Sequence, residues 1–454
     1  MSDLTNAVQT IIDTQQHYKQ AENYYNGTVE EFFASASVAR ELAKLGDPNR
    51  VNFAATPVNA VANRLEVTGV TTLSDQARIV VDQVWQQNNL ELELTQLINR
   101  TLVFGSAYVI CWPDADGTTQ IYYNSPLSMV MLYEPENPRQ PAVAAKVWSV
   151  SVDDKPRTRL NLYYADRIEM YQSVSERLPL TVKDADFEPY IDDRTDENGC
   201  IANPFGQIPV FHFTTGVDQY GRPEHINAYG PQDMINKLLV SQMASVEHYG
   251  FPTRWMLRDA NGGTNPLSDV DDDADDVLDS APGQVWDLAG IQKVGQFNAA
   301  EPGTYIKPYR EYVRALASVT DTPLHYFENT YTNVSGESLR AAEAPLVKKV
   351  RTRQLAIGHT LRQLFVFVLK MNKLDEDVQI QWRQIESIDT KEQWEIAYKK
   401  LQAGLPVEQI LLEQGYDTEL VTQWKNDGLL IQQIAVPNTS TTELPNTEIK
   451  GEAA

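Results

Sequence analysis

The densest set of potential metal ligands in this 454-residue sequence is the run SDVDDDADDVLDS, which carries Asp269, Asp271, Asp272, Asp273, Asp275, Asp276 and Asp279. A calcium loop of the EF-hand type, counted from Asp269, requires glycine at its sixth place and glutamate at its twelfth. Ala274 and Ser280 stand there instead. A solvated acidic loop is the first reading of the run; weak divalent-cation binding and a contact surface are the other two. The six histidines (His17, His212, His225, His248, His325, His359) are scattered through the chain. A histidine with no nucleophile or acid at matching spacing is read as structural. No GxxxxGK[ST] loop is present to cradle a nucleotide, and neither GxSxG nor HExxH occurs. A hydrolase built on an acidic pair finds no support in the spacing. The sequence therefore predicts no enzyme, no metal and no cofactor.

A second chemical candidate is NVSGESLRAAEAPLVKKVRTRQLAIGHTLRQLF, residues 333–365. It holds Arg340, Lys348, Lys349, Arg351, Arg353 and Arg362 against only Glu337 and Glu343. The whole chain has 38 basic and 62 acidic residues, a formal net charge of -24. Broad nucleic-acid binding needs clustered cations that neutralise phosphates, which so acidic a chain does not provide. The basic faces of this stretch have two readings. Lys348, Lys349, Arg351 and Arg353 form ion pairs with acids of the same chain or of a neighbouring copy, or they contact phosphate directly.

The elements around these residues follow from periodicity. Val8, Ile11 and Ile12 predict a helix near the N-terminus, in a helical segment ended by Gly46-Asp47-Pro48. Val58, Val61, Ala62 and Leu65 predict another, reaching Gly69, and Ser74 is placed to cap the next. Leu90–Phe104 continues in helical register to Gly105. Six short runs rich in β-branched and aromatic residues follow (107–113, 119–125, 128–134, 144–152, 159–165, 167–173), predicting an antiparallel meander. FGQIPVFHF (205–213) adds a strand. Pro231 is placed at the first position of a one-sided helix carrying Ile235, Leu238, Leu239 and Val246. A short strand over 284–287 is expected before a second such helix begins at Tyr305. A long helix from Glu337 to Met371, with Ser335 as its cap, contains Pro345, which removes the bond to Ala341 and predicts a kink. A strand at 378–382 and three short helices precede a C-terminal tail of disordered composition.

Two cysteines, Cys111 and Cys200, do not make a disulfide framework, so a reducing, intracellular setting is the simpler expectation. The N-terminus has no basic region followed by an apolar core, so no signal peptide is expected. The most apolar run, 364–369, is too short to span a bilayer.

The order of these pieces resembles the portal proteins of tailed bacteriophages. The likeness is carried by VNFAATPVNAVANRLEVTG (51–69) and VFGSAYVICWPDADG (103–117). It continues in NPFGQIPVFHF (203–213) and in YVRALASVTDTPLHYF (312–327), followed by NVSGESLRAAEAPLVKKV (333–350). It ends in VQIQWRQIESIDTKEQWEIAYKKLQAGLP (378–406). The resemblance implies an α+β portal fold: an α/β wing with an antiparallel sheet, a two-helix stem, a small clip, a long kinked helix and a helical crown. It maps the wing to 1–225, stem helices to 226–251 and 304–321, and the clip to 252–303. A tunnel loop falls at 322–336, the kinked helix and C-terminal wing at 337–387, and the crown and tail at 388–454. It implies a ring of 12 subunits at the unique capsid vertex, assembled in the host cytoplasm and carried in the virion. Double-stranded DNA passes through it without sequence readout and without a membrane being involved. The implied partners are the terminase large subunit, a head–tail adaptor, and the major capsid and scaffolding proteins. Within the tunnel loop, Asn329, Thr330, Tyr331, Thr332 and Asn333 are the residues implied to touch DNA, and Pro345 is the implied bend. Another ring-forming head–tail adaptor or virion structural protein is the alternative.

Overall fold

The computed structural model describes residues 2–29, 51–152, 154–179, 181–249, 254–258, 291–296, 303–328, 336–385, 390–414, 416 and 418–430. The chain divides into two compact units, residues 1–385 and 386–454.

The larger unit opens with α1 (Asp3–Asn26). Ser2 caps it by accepting from Thr5 N–H, and Gly27 stops it in the left-handed conformation. Leu4, Ala7, Val8 and Ile11 are buried along one face, as the periodicity predicts. Three helices follow: α2 (Ala55–Ala62), α3 (Asp75–Gln87) and α4 (Leu90–Phe104). Ser74 caps α3 by accepting from Ala77 N–H. Between α2 and α3 the helix expected to reach Gly69 ends early, and β1 (Val67–Thr71) takes its place. Its partner is a strand more than 300 residues away, β13 (Gln379–Trp382). That long-range pairing is invisible in local spacing, which explains the misassignment.

The six predicted strands are present, but they divide between two sheets. Strands β2 (Ser106–Pro113) and β3 (Thr119–Asn124) pair with β10 (Val210–Thr214) in the order β10-β2-β3. Strands β4 (Met129–Tyr133), β5 (Pro141–Val152), β6 (Lys155–Tyr163) and β7 (Arg167–Ser173) form the meander. β8 (Phe187–Pro189) extends it at the edge, and β9 (Cys200–Ala202) pairs with β7. Alternation gives the meander two buried faces. Val143, Ala145, Leu160 and Leu162 pack on α1 residues such as Val8 and Ile11. Ala144, Tyr163 and Ile168 meet Tyr108, Ile110 and Val210 of the other sheet. A single meander could not bury both faces, and the change of sheet after β3 resolves this.

The one-sided helix α5 runs Tyr229–Tyr249, so it starts two residues before Pro231, behind a 3-10 turn at Ile226–Ala228. Strands β11 (Arg254–Arg258) and β12 (Ile291–Gln296) pair antiparallel. The strand expected at 284–287 lies outside the described residues, as do Ser335, residues 30–50 with Gly46-Asp47-Pro48, and the acidic run. Helix α6 (Gly303–Val319) contacts α5, and Ile235, Val313 and Leu316 share a core with Tyr24 and Ala54. Helix α7 (Gly336–Met371) is the longest element, with Pro345 inside it. Leu346, Val350, Ile357, Leu361, Leu364, Phe365 and Val368 are fully buried in the largest core, and α7 packs against α2, α3, β10 and β13.

The smaller unit contains α8 (Thr390–Gln402), α9 (Val407–Glu413) and α10 (Thr418–Asn426). Gly404 adopts a left-handed φ just past α8, as expected of a helix stop. No helix among the described residues is long and apolar enough to cross a membrane.

Candidate functional site

The basic residues of α7 point in different directions because a helix turns about 100° per residue. Lys348 and Arg351 are exposed, whereas Lys349 and Arg353, one turn apart, face inward. They converge on Glu224, whose side chain is only 2% exposed. Lys349 Nζ lies 3.0 Å from Glu224 Oε1, and Arg353 Nε donates to Oε2 at 2.7 Å. Arg353 Nη1 also donates to the Thr215 carbonyl at 2.8 Å. Lys349 Nζ donates to the Thr320 carbonyl and lies 3.7 Å from Asp321 Oδ2. Thr320 directly follows α6, so Lys349 neutralises the negative end of that helix. Burial raises the Glu224 carboxyl pKa, but Lys349 and then Arg353 outweigh it, and the net value sits below the ordinary one.

Two acids and two bases thus balance within one cluster. Lys349 and Arg353 are engaged with Glu224 and with backbone carbonyls. Arg362 forms a separate surface pair with Asp377, where its Nε donates to Oδ1 at 2.6 Å.

Glu224 reaches this position because two backbones cross without side chains between them. Gly105, at φ 83°, ends α4, and a Cβ there would lie 2.5 Å from the Arg222 carbonyl carbon. Gly221, at φ 71°, would place a Cβ 1.9 Å from the Gly105 oxygen. Glycine is required at both positions, by sterics and by φ. The crossing is tied by Thr215 N–H to Gly105 O (3.1 Å) and Glu224 N–H to Leu102 O (2.9 Å). One α7 face therefore grips the segment that leads into α5 and the end of α6 together.

Two of the histidines and one cysteine are held in the interior. His225 is fully buried, with Nε2 2.9 Å from the Ala21 carbonyl, and burial lowers its pKa to about 4. His212 lies between Ser106 Oγ (2.5 Å) and Tyr133 OH (2.7 Å) and stacks on Tyr108; burial lowers its pKa to about 3. Both are neutral at physiological pH. Cys111 is buried with its thiol pushed up to about 12, which makes it unreactive. Among the described residues no group of three or more His, Cys, Asp or Glu is placed to hold a metal ion.

Pro345 sits where the helix changes from exposed to buried: none of residues 336–345 is buried, and Leu346 is fully so. The loop residues Asn329, Thr330, Tyr331, Thr332 and Asn333 lie outside the described residues. Sequence reasoning did not single out Glu224. It is a lone acid in GRPEHINAYG, and the only local signals were the glycine at 221 and the excess of bases on α7.

The chain can also be placed among known proteins. The curated relatives include the portal protein of Mycobacterium phage D29, 24% identical over 315 residues. That alignment covers 66% of this chain and 61% of the relative, so the chain spans about three fifths of the D29 protein's length. The portal protein of Mycobacterium phage L5 is 23% identical over 351 residues, covering 74% of this chain and 67% of the relative. Among solved structures, a chain from the virion of a native gene transfer agent particle aligns at 13% identity. It covers 86% of this chain and 96% of its own, with a TM-score of 0.45. Residues 10–435 match the family described as "Phage portal protein, SPP1 Gp6-like", and the chain, whose helices and antiparallel sheets are of the mixed class expected, belongs to that phage portal protein family.

Proposed function

We propose that this chain is the ring-forming subunit of a portal vertex, a conduit rather than an enzyme. Twelve copies form a closed ring in the capsid. The terminase drives double-stranded DNA inward through it, a head–tail adaptor docks on it later, and DNA leaves by the same route. Capsid and scaffolding proteins contact the ring as the head assembles in the host cytoplasm. The family match over residues 10–435 is the observation that carries this reading.

The physical chemistry supports it. A cyclic ring is built from head-to-tail contacts, so each subunit must offer two different faces. The α5–α6 pair buries one side internally, while Ile306 and Val319 of α6 remain 41% and 46% exposed. At -24 per chain, twelve subunits carry on the order of -290, and where those acids face the bore they keep a translocating polyanion from sticking. Contact with DNA falls to residues 329–333, whose amide and hydroxyl groups meet a phosphate backbone without reading bases.

Electron microscopy of the purified chain tests the proposal. A ring with a central channel and about twelvefold symmetry is expected; a monodisperse monomer under all assembly conditions overturns it. Replacing Asn329 to Asn333 with alanine in the phage tests the loop assignment. A normal amount and length of packaged DNA would show that these residues are not the contact.

A further inference from the structure

The helix α7 is held on both sides of Pro345, and the two holds differ in kind. On the C-terminal side, Lys349 and Arg353 are bound to the buried Glu224. On the N-terminal side, two residues before the proline, Glu343 Oε1 lies 3.0 Å from Arg64 Nη2 and 3.5 Å from His325 Nε2. The Glu343 side chain is 21% exposed, against 2% for Glu224. Arg64 Nη2 also donates to Tyr326 OH at 2.9 Å, and its guanidinium lies 5.9 Å from that ring's centre. Arg64 follows α2, and His325 and Tyr326 form the 3-10 turn at Leu324–Tyr326 after α6. The Glu343 contact thus joins three chain segments, as the Glu224 contact does.

Burial sharpens the contrast. From Leu346 onward α7 buries a residue on nearly every turn, and it is part of the main core. Residues 336–344 bury none, and only Leu339 and Glu343 are even half-buried. Pro345 stands at the join and supplies no N–H to the Ala341 carbonyl, so the backbone ladder is weakest where packing ends.

We propose that Glu343 is a positioning residue: through Arg64 and His325 it latches residues 336–344 as an arm that hinges at Pro345, while Glu224 keeps the rest of the helix fixed. The arm leads out of the segment assigned above to DNA contact. Its use in aiming that segment rests on the portal reading; the latch itself stands on the geometry. Bending at Pro345 is then a local event. Opening the Glu343 contact loosens the arm, and the 346–371 rod, with the segment leading into α5 and the end of α6 attached, does not follow.

Segment-resolved hydrogen exchange on the full chain, in whatever assembly it adopts, tests this. Alanine is a better helix former than glutamate, so Glu343→Ala weakens no intrinsic propensity. The expected result is a tenfold or greater rise in exchange over 337–344 that is nearly independent of low denaturant, as for a local opening, while 347–371 keeps the steep denaturant dependence of global unfolding. Pro345→Ala should slow exchange in the arm by restoring the missing bond. Glu224→Gln should instead accelerate 347–356 together with the end of α6. The proposal is overturned if Glu343→Ala leaves the arm unchanged, or if the arm exchanges with the same denaturant dependence as the rod, which means that it opens only when the whole unit unfolds. Ring formation, scored separately by microscopy, decides the portal reading, so the two can fail independently.

Discussion

Glu224 and Glu343 each pair one carboxylate with two basic side chains and each joins α7 to distant parts of the chain, yet burial makes them opposites. Removing water from three charges is costly, and Glu224 recovers that cost only because each partner has further bonds, Arg353 to the Thr215 carbonyl and Lys349 to the end of α6. Glu343 keeps some water contact, and one of its partners is a histidine. The buried cluster makes a fixed joint and the half-exposed cluster a releasable one. The same chemistry thus serves as anchor or latch according to how much solvent it retains.

The largest effect tests how Glu224 is delivered. Gly221→Ala puts a methyl group into the Gly105 carbonyl and does so at a positive φ. We expect a loss above about 4 kcal/mol, enough to abolish soluble expression. A variant of near wild-type thermal stability would mean that the crossing is not tight.

Next comes the anchor itself. Glu224→Ala leaves Lys349 and Arg353 with no carboxylate in a buried site, at a cost of about 3–5 kcal/mol by denaturant unfolding. Glu343→Ala should cost about 1.5 kcal/mol, the worth of a charged hydrogen bond near the surface. Equal costs would erase the distinction between anchor and latch.

Acid provides a third test. His212 and His225 have folded pKa values lowered by burial to about 3 and about 4. The unfolded chain therefore takes up protons below its ordinary histidine pKa of about 6.5 while the folded chain does not. Stability is then constant above about pH 6.5 and falls as pH drops below it, by up to about 1.4 kcal/mol per pH unit for each histidine. Glu224 acts later. Its folded pKa is lowered, so its contribution is present above the unfolded carboxyl pKa and is lost as pH falls through the folded one. Urea unfolding at stepped pH should show the histidine slope first. His212→Asn should reduce the slope between pH 4 and 6 by about one proton. An unchanged slope would mean that His212 is solvated in the folded protein.

Much of this architecture was legible in the sequence. Period-2 and period-3.6 patterns found α3, α4, α7 and the strands from β2 to β7, since each buries a face of its own. Ser74 and Gly105 marked their helix ends because capping and left-handed φ are local chemistry. What local pattern could not provide was pairing at a distance. β1 depends on β13, and the division into two sheets depends on β10. Glu224 illustrates the same limit at the candidate site. The excess of bases on α7 showed that partners must exist, but a lone glutamate 129 residues upstream of Arg353 has no signature of its own. Arg64 and Glu343 were likewise unremarkable until the fold brought α2 to α7.

The smallest effect separates burial from geometry. Arg362 and Asp377 form a well-aligned pair on α7's outer face, with Nε and Nη2 both directed at the carboxylate. The hydrogen bond to Arg362 holds the Asp377 carboxyl below its usual range, more strongly than any desolvation raises it. By distance alone this pair outranks Lys349 with Glu224. Both side chains are more than half exposed, however, at 53% and 54%. Water and salt screen their attraction, and holding two long side chains still offsets what remains. Arg362→Ala should leave the unfolding midpoint unchanged within error, at both low and high ionic strength. If it instead destabilises the chain as much as Glu343→Ala, and more so at low salt, geometry rather than burial sets the strength of these contacts, and the division of α7 into anchored rod and latched arm loses its physical basis.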